Sequence, residues 1–150
     1  MEEIGIDYYN NDQIRHRITF VNKRRNGLYQ SWHKNGWLKT ECTYIENKIN
    51  GTFKKWYKDG TLEVENYFLN GSKHGREIRY SSKDTVIFIG YFKNGMQQGI
   101  FQSWQSNNLR KGIRNLKDDQ RNGPTIYFYY DLDYNDSTGG NSSNYYEEPL

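Results

Sequence analysis

The sequence predicts an all-β protein, an elongated single-layer antiparallel meander of stacked β-hairpin repeats. Three observations carry this reading. Glycines stand at 27, 51, 75, 99 and 123, every interval being 24 residues, and a fixed period of that size marks a repeat architecture. Five residues after each glycine comes an aromatic ring, at Trp32, Trp56, Tyr80, Trp104 and Phe128. The segments between turn signals are short and rich in Tyr, Phe, Trp, Ile and Thr, in a chain of 150 residues with no alanine and 17 asparagines. Such segments suit strands and turns and are too short for typical helices.

Taken in order, the elements follow from the period. Projecting it backwards from Gly27 reaches Glu3 and puts Tyr8, Ile14 and Phe20 in the expected columns, so residues 1–26 read as a degenerate first repeat or N-terminal cap. Units starting at Gly27, Gly51, Gly75, Gly99 and Gly123 fill residues 27–130. Mid-unit turns read His33-Lys34-Asn35-Gly36, Lys58-Asp59-Gly60, Ser82-Lys83-Asp84 and Ser106-Asn107-Asn108, and unit-end turns run from Glu46, Asn70, Asn94 and Lys117 to the next repeat glycine. Asn-Gly and Asp-Gly are strong hairpin signals because both residues tolerate positive φ. Each unit is therefore one hairpin, and five or six in series make a rod or trough of about ten to twelve strands, roughly 50 Å long.

Other columns repeat less strictly. Two residues after the glycine come Tyr29, Phe53 and Phe101, with Glu77 and Thr125 departing; seventeen after it come Tyr44, Phe68, Phe92 and Leu116. Spacings of two and five have opposite parity, so either both faces bury rings or a bulge near the glycine brings the two columns together. Leu, Ile, Val and Phe make up 30 of the 150 residues, whereas Tyr counts 14 and Trp 4. A thick aliphatic core is excluded, and the rings must supply most of the buried surface.

Charge is unevenly spread. Residues 131–150 hold five acids and no Lys or Arg, so the net charge of +3 divides into a basic body of 21 bases against 13 acids and an acidic end. That end, rich in Asp, Ser, Asn and Gly, is expected to be a disordered tail. The chain opens with Met1-Glu2-Glu3 and contains no apolar run near the roughly 20 residues that span a bilayer, so neither a signal peptide nor a membrane span is expected and the expected location is cytoplasmic.

Two stretches, Gly27-Leu28-Tyr29-Gln30-Ser31-Trp32-His33-Lys34-Asn35-Gly36-Trp37-Leu38 and Gly51-Thr52-Phe53-Lys54-Lys55-Trp56-Tyr57-Lys58-Asp59-Gly60-Thr61-Leu62, resemble the MORN repeat in its second variant, W-Y-x-[DN]-G-x-L. The likeness extends through Tyr67-Phe68-Leu69-Asn70-Gly71 and Tyr91-Phe92-Lys93-Asn94-Gly95, covering about residues 20–130. The unit from Gly75 has Asp84 at the mid-turn glycine, and that from Gly99 has Asn108 there and Arg110 at the leucine. The resemblance implies an elongated sheet of hairpins that joins proteins together, in some members with a proposed contact to acidic phospholipids.

Residues that could carry chemistry are scattered. His16, His33 and His74 have no second His or Cys at zinc spacing, and Cys42 is alone, so neither a metal site nor a disulfide is expected. Cys42 reads as a small strand residue; Glu41, Glu63 and Glu65 read as cross-strand partners of lysines. No Walker loop, dinucleotide fingerprint or nucleophile elbow is present. No catalysis and no cofactor are expected. The leading expectation is a non-catalytic interaction or scaffold module for another protein, self-pairing through terminal strands included. Its candidate contact surface is Tyr29, Trp37, Phe53, Tyr57 and Phe101. The alternative is peripheral binding to anionic phospholipid through a basic stripe of Lys23, Arg24, Arg25, Lys54, Lys55, Lys58, Arg110, Lys111 and Arg114. An aromatic carbohydrate-binding repeat is a weaker third reading, and nucleic acid is not expected as a partner.

Overall fold

The computed structural model describes residues 1–104, 110–130 and 143–148, with side chains for 1–104 and 111–126. No helix occurs among the described residues. The strands are β1 (Glu2–Tyr8), β2 (Ile14–Val21), β3 (Arg24–Trp32), β4 (Leu38–Ile45), β5 (Lys48–Ile49), β6 (Gly51–Trp56), β7 (Leu62–Leu69), β8 (Ser72–Tyr80), β9 (Val86–Lys93), β10 (Met96–Trp104), β11 (Arg110–Lys117), β12 (Gln120–Arg121), β13 (Thr125–Tyr130) and β14 (Ser143–Glu148). They form one open antiparallel sheet in which every strand lies beside its neighbour in sequence, with the two-residue β5 and β12 pairing β4 and β11.

Both rims of the sheet repeat every 24 residues. At one rim, consecutive residues at positive φ make two-residue turns: Asn22-Lys23, Glu46-Asn47, Asn70-Gly71, Asn94-Gly95 and Asp118-Asp119. Two positive φ values define the type I′ turn, whose twist matches that of the strands it joins. At the other rim the five-residue loops Tyr9–Gln13, His33–Trp37, Tyr57–Thr61 and Ser81–Thr85 share one bonding pattern, in which the first amide donates to the last carbonyl and the fourth amide to the first carbonyl. The fourth residue of each, Asp12, Gly36, Gly60 and Asp84, has positive φ. Asp84 thus keeps the loop without a glycine, since Asp tolerates the left-handed region better than most residues. The first repeat projected onto residues 3–26 has the same two turns as the others.

The repeat glycines mark bulges. Gly27, Gly51, Gly75, Gly99 and Gly123 all have positive φ. Register shifts fall near them, between Ile18 and Phe20, Asn66 and Phe68, and Gln97 and Gln102. A second shift falls between Ser31 and Trp32, Lys55 and Trp56, and Arg79 and Tyr80. Pairing is therefore interrupted immediately before Trp32, Trp56 and Tyr80, whereas Trp104 follows Ser103 in unbroken register opposite Lys111.

Cross-strand pairs run in rows across the sheet. On one face, the ring face, Ile18 pairs Tyr29 and Tyr29 pairs Cys42; further along, Phe53 pairs Asn66, Asn66 pairs Glu77 and Glu77 pairs Gly90. Ile18, Cys42, Asn66, Glu77, Phe101 and Thr125, all buried, belong to this row or its continuation. Within units the rings of columns two and seventeen pack together, Tyr29 on Tyr44 at 5.9 Å between centroids and Phe53 on Phe68 at 5.8 Å. In the third unit Glu77 replaces the ring, and Phe92 packs instead on Phe101 of the next unit at 5.7 Å.

The C-terminal segment departs from the expected disordered tail. Residues 131–142 lie outside the described residues, but β14 pairs β13 from Thr125 with Glu148 to Tyr130 with Ser143. A segment too polar to build a core can still satisfy its backbone on an open sheet edge, and its Tyr145-Tyr146 pair has high strand propensity.

Candidate interaction surface

Neighbouring units are tied at both rims by bonds that recur with the repeat. Tyr9 donates its hydroxyl to the Trp32 carbonyl at 2.8 Å, and Tyr57 donates to the Tyr80 carbonyl at 2.9 Å. His33 occupies the equivalent place, its Nε2 lying 2.9 Å from the Trp56 carbonyl. At the other rim the amides of Asn47, Gly71, Gly95 and Asp119 donate to the carbonyls of Arg25, Ile49, Lys73 and Gln97. These ties satisfy backbone groups at the rims and hold successive hairpins in register.

The predicted contact residues do not form one surface. Tyr29 and Phe53 lie half-buried in the ring-face row, each packed on its own unit's partner ring. Phe101 is 2% exposed, wedged against Phe88, Phe92 and Gly90, so it is core and not a contact residue. Its column repeats because the sheet needs filling there. Tyr57 and Trp37 lie at the mid-turn rim, Tyr57 tied to Tyr80, and Trp37 against Gly60, where a Cβ would sit 2.8 Å from the indole ring. Trp37 still shows 57% of its surface.

The basic residues do not form one stripe either. Lys54 and Lys55 are adjacent on a regular strand and so face opposite sides. Lys54 pairs Glu65 at 3.4 Å and Lys55 pairs Glu63 at 2.6 Å. Arg24 pairs Glu46, and Arg25 lies over the Tyr44 ring at 5.4 Å. Lys23 is in a unit-end turn, Lys58 in a mid-unit loop, Lys111 over the Trp104 ring at 5.3 Å, and Arg114 exposed on β11. The side chain of Arg110 lies outside the described residues. Of the remaining repeat-defining rings, Trp32, Trp56, Tyr80 and Trp104 are half-buried, and Phe128 is in β13 with its side chain outside the described set.

Other polar residues have structural partners. Glu41 accepts from Gln30 at 2.8 Å. Cys42 is buried, and burial followed by the nearby Glu41 charge pushes its pKa up to about 11, so it stays a thiol at neutral pH. Among the described residues, no group of three His, Cys, Asp or Glu could hold a metal ion, and no helix is long and apolar enough to cross a membrane.

What sequence reasoning missed lies on the opposite face. Leu28 pairs Thr43, Thr52 pairs Tyr67, Arg76 pairs Tyr91 and Ile100 pairs Asn115, all at positions alternating with the ring-face row. Leu28, Tyr67, Tyr91 and Ile100 are 42–56% exposed. The signal was split between two columns next to the packed rings and hence pointing the other way: Leu28 and Ile100 stand one residue after their glycines, and Tyr67 and Tyr91 sixteen after theirs.

One open sheet of tied hairpins, packed on one face and bare on the other, defines the class: a hairpin-repeat protein. The family model described as MORN repeat variant matches residues 25–46 and 49–70, starting 24 residues apart, so MORN repeats are present in those two segments. No curated protein matches it.

Proposed function

We propose that the chain is a non-catalytic scaffold module that docks a partner protein on the face carrying Leu28, Tyr67, Tyr91 and Ile100. The observation behind this is their exposure in successive units, on a sheet with no second layer over them among the described residues. Contiguous apolar surface on a soluble protein marks interaction sites, and tyrosine is enriched where binding energy concentrates. Tethered wild-type protein and a Tyr67→Ser/Tyr91→Ser variant, exposed to lysate of the native host, test the reading. Partners retained by the wild type and lost by the variant, with unchanged circular dichroism, are the expected result; identical retained sets would refute it.

Self-association fits the same reading at one sheet end. Strand β1 is an edge with Ile4, Ile6 and Tyr8 exposed, whereas β13 is already covered by β14. Light scattering across the micromolar range should then show a concentration-dependent dimer, and a strict monomer would exclude it.

A further inference from the structure

The third repeat breaks the ring column at Glu77, and the structure turns that break into a built polar site. Glu77 is 1% exposed at the centre of the ring-face row, between Asn66 on β7 and Gly90 on β9. Lys73 and Arg79 Nε both bond its carboxylate. With the Asn66 amide turned so that both its ends are satisfied, Asn66 Nδ2 donates to Glu77 Oε2 at 2.9 Å. A buried carboxylate is tolerated only when paired and hydrogen-bonded in this way.

The arrangement fixes its cations more than it neutralises them. Arg79 spends Nε on Glu77 and lies over the Phe88 ring at 4.6 Å, while Lys73 lies over the Phe92 ring at 4.9 Å. The two terminal nitrogens of Arg79 have no partner among the described residues, and its side chain is 49% exposed. Arg79 lines a cavity of about 300 Å³ together with Lys55, Glu63, Lys73 and Glu77. Three cations against two carboxylates leave one positive charge there. The free side of a guanidinium fork matches a carboxylate, two donors to two acceptors.

We propose that Arg79 and Lys73, held by Glu77, form a subsite on the ring face that takes a single carboxylate from an acidic segment of a protein partner. Charge complementarity selects this occupant. The inference is independent of docking on the opposite face, and the two together give a one-layer sheet two surfaces on which to join proteins. Glu77 is a positioning residue; Arg79 makes the contact.

Fluorescence polarisation of a labelled hexaglutamate peptide against the full chain tests it, with hexaglutamine as the neutral control. The expected result is saturable binding of hexaglutamate alone, weakened tenfold or more by Arg79→Gln and less by Arg79→Lys. Lys93→Gln, the same charge change on the other face, should alter it by less than twofold. Sodium phosphate should displace the peptide no better than chloride of equal ionic strength. The proposal is overturned by no binding, by equal effects of Arg79→Gln and Lys93→Gln, or by selective displacement with phosphate, which would mark an inorganic-anion site. Circular dichroism confirms that each variant is folded.

Discussion

Gly90→Ala is the sharpest test of how this thin sheet is packed. Gly90 does not need its glycine for backbone reasons, since its φ lies outside the left-handed region; it needs the space. A Cβ there would overlap Phe101 Cε1 and lie 2.6 Å from Cδ1 and 2.9 Å from Phe88 Cζ. Carbon atoms rest at about 3.5–4.0 Å, so the Phe101 ring would have to shift by roughly 1 Å or more. It cannot shift freely, because Phe88 and Phe92 hold it at centroid distances of 5.6 and 5.7 Å and it is almost fully buried. Overpacking of this kind costs about 1–3 kcal/mol. Urea denaturation followed by tryptophan fluorescence should show the loss as a lower midpoint with an unchanged slope. The same substitution made in a Phe101→Leu background should cost at least about 0.5 kcal/mol less, because the clashing ring is gone. An undiminished cost in that background, or no cost in either, would refute the packing argument.

Two further outcomes follow from the ties and the lone thiol. Tyr57→Phe removes the hydroxyl that bridges two units to the Tyr80 carbonyl, and should lower unfolding free energy by about 0.5–1.5 kcal/mol in the same denaturation assay. Cys42 has a folded pKa of about 11 against the ordinary 9.0, so its thiolate is suppressed until the pH passes well above 9. The native chain should therefore react slowly with Ellman's reagent at pH 8 and rapidly once unfolded in urea; fast native labelling would contradict the burial. The sign for stability is the corresponding one. Between about pH 9 and 11 the unfolded thiol ionises while the folded one does not, so this group's contribution turns against the folded state as pH rises.

Much of the architecture was legible in the sequence because the repeat imposes its own bookkeeping. The 24-residue glycines, the Asn-Gly and Asp-Gly turns and the ring five residues on are each local requirements, a backbone at positive φ or a strand that must be covered. In residues 1–26, Asp12 and Asn22-Lys23 meet the same turn geometry without the consensus residues. The interaction residues were harder. Tyr29 and Phe101 occupy the same column, yet one is half-buried and the other sealed, because Gly90 leaves a hole across the strand that only the second ring fills.

Residue order alone determined that this protein is a chain of hairpins, since turn chemistry and strand propensity act within a few residues. The three-dimensional arrangement decided which side of the sheet each residue shows. Cross-strand register put Phe101 on the packed face opposite Gly90 and turned Tyr67 and Tyr91, each next to a packed ring, the other way. It also decided that Glu77, an oddity in a column of rings, is a satisfied buried charge. Lys73 and Arg79 reach it along its own strand β8, and register across strands brings the third donor, Asn66, from β7.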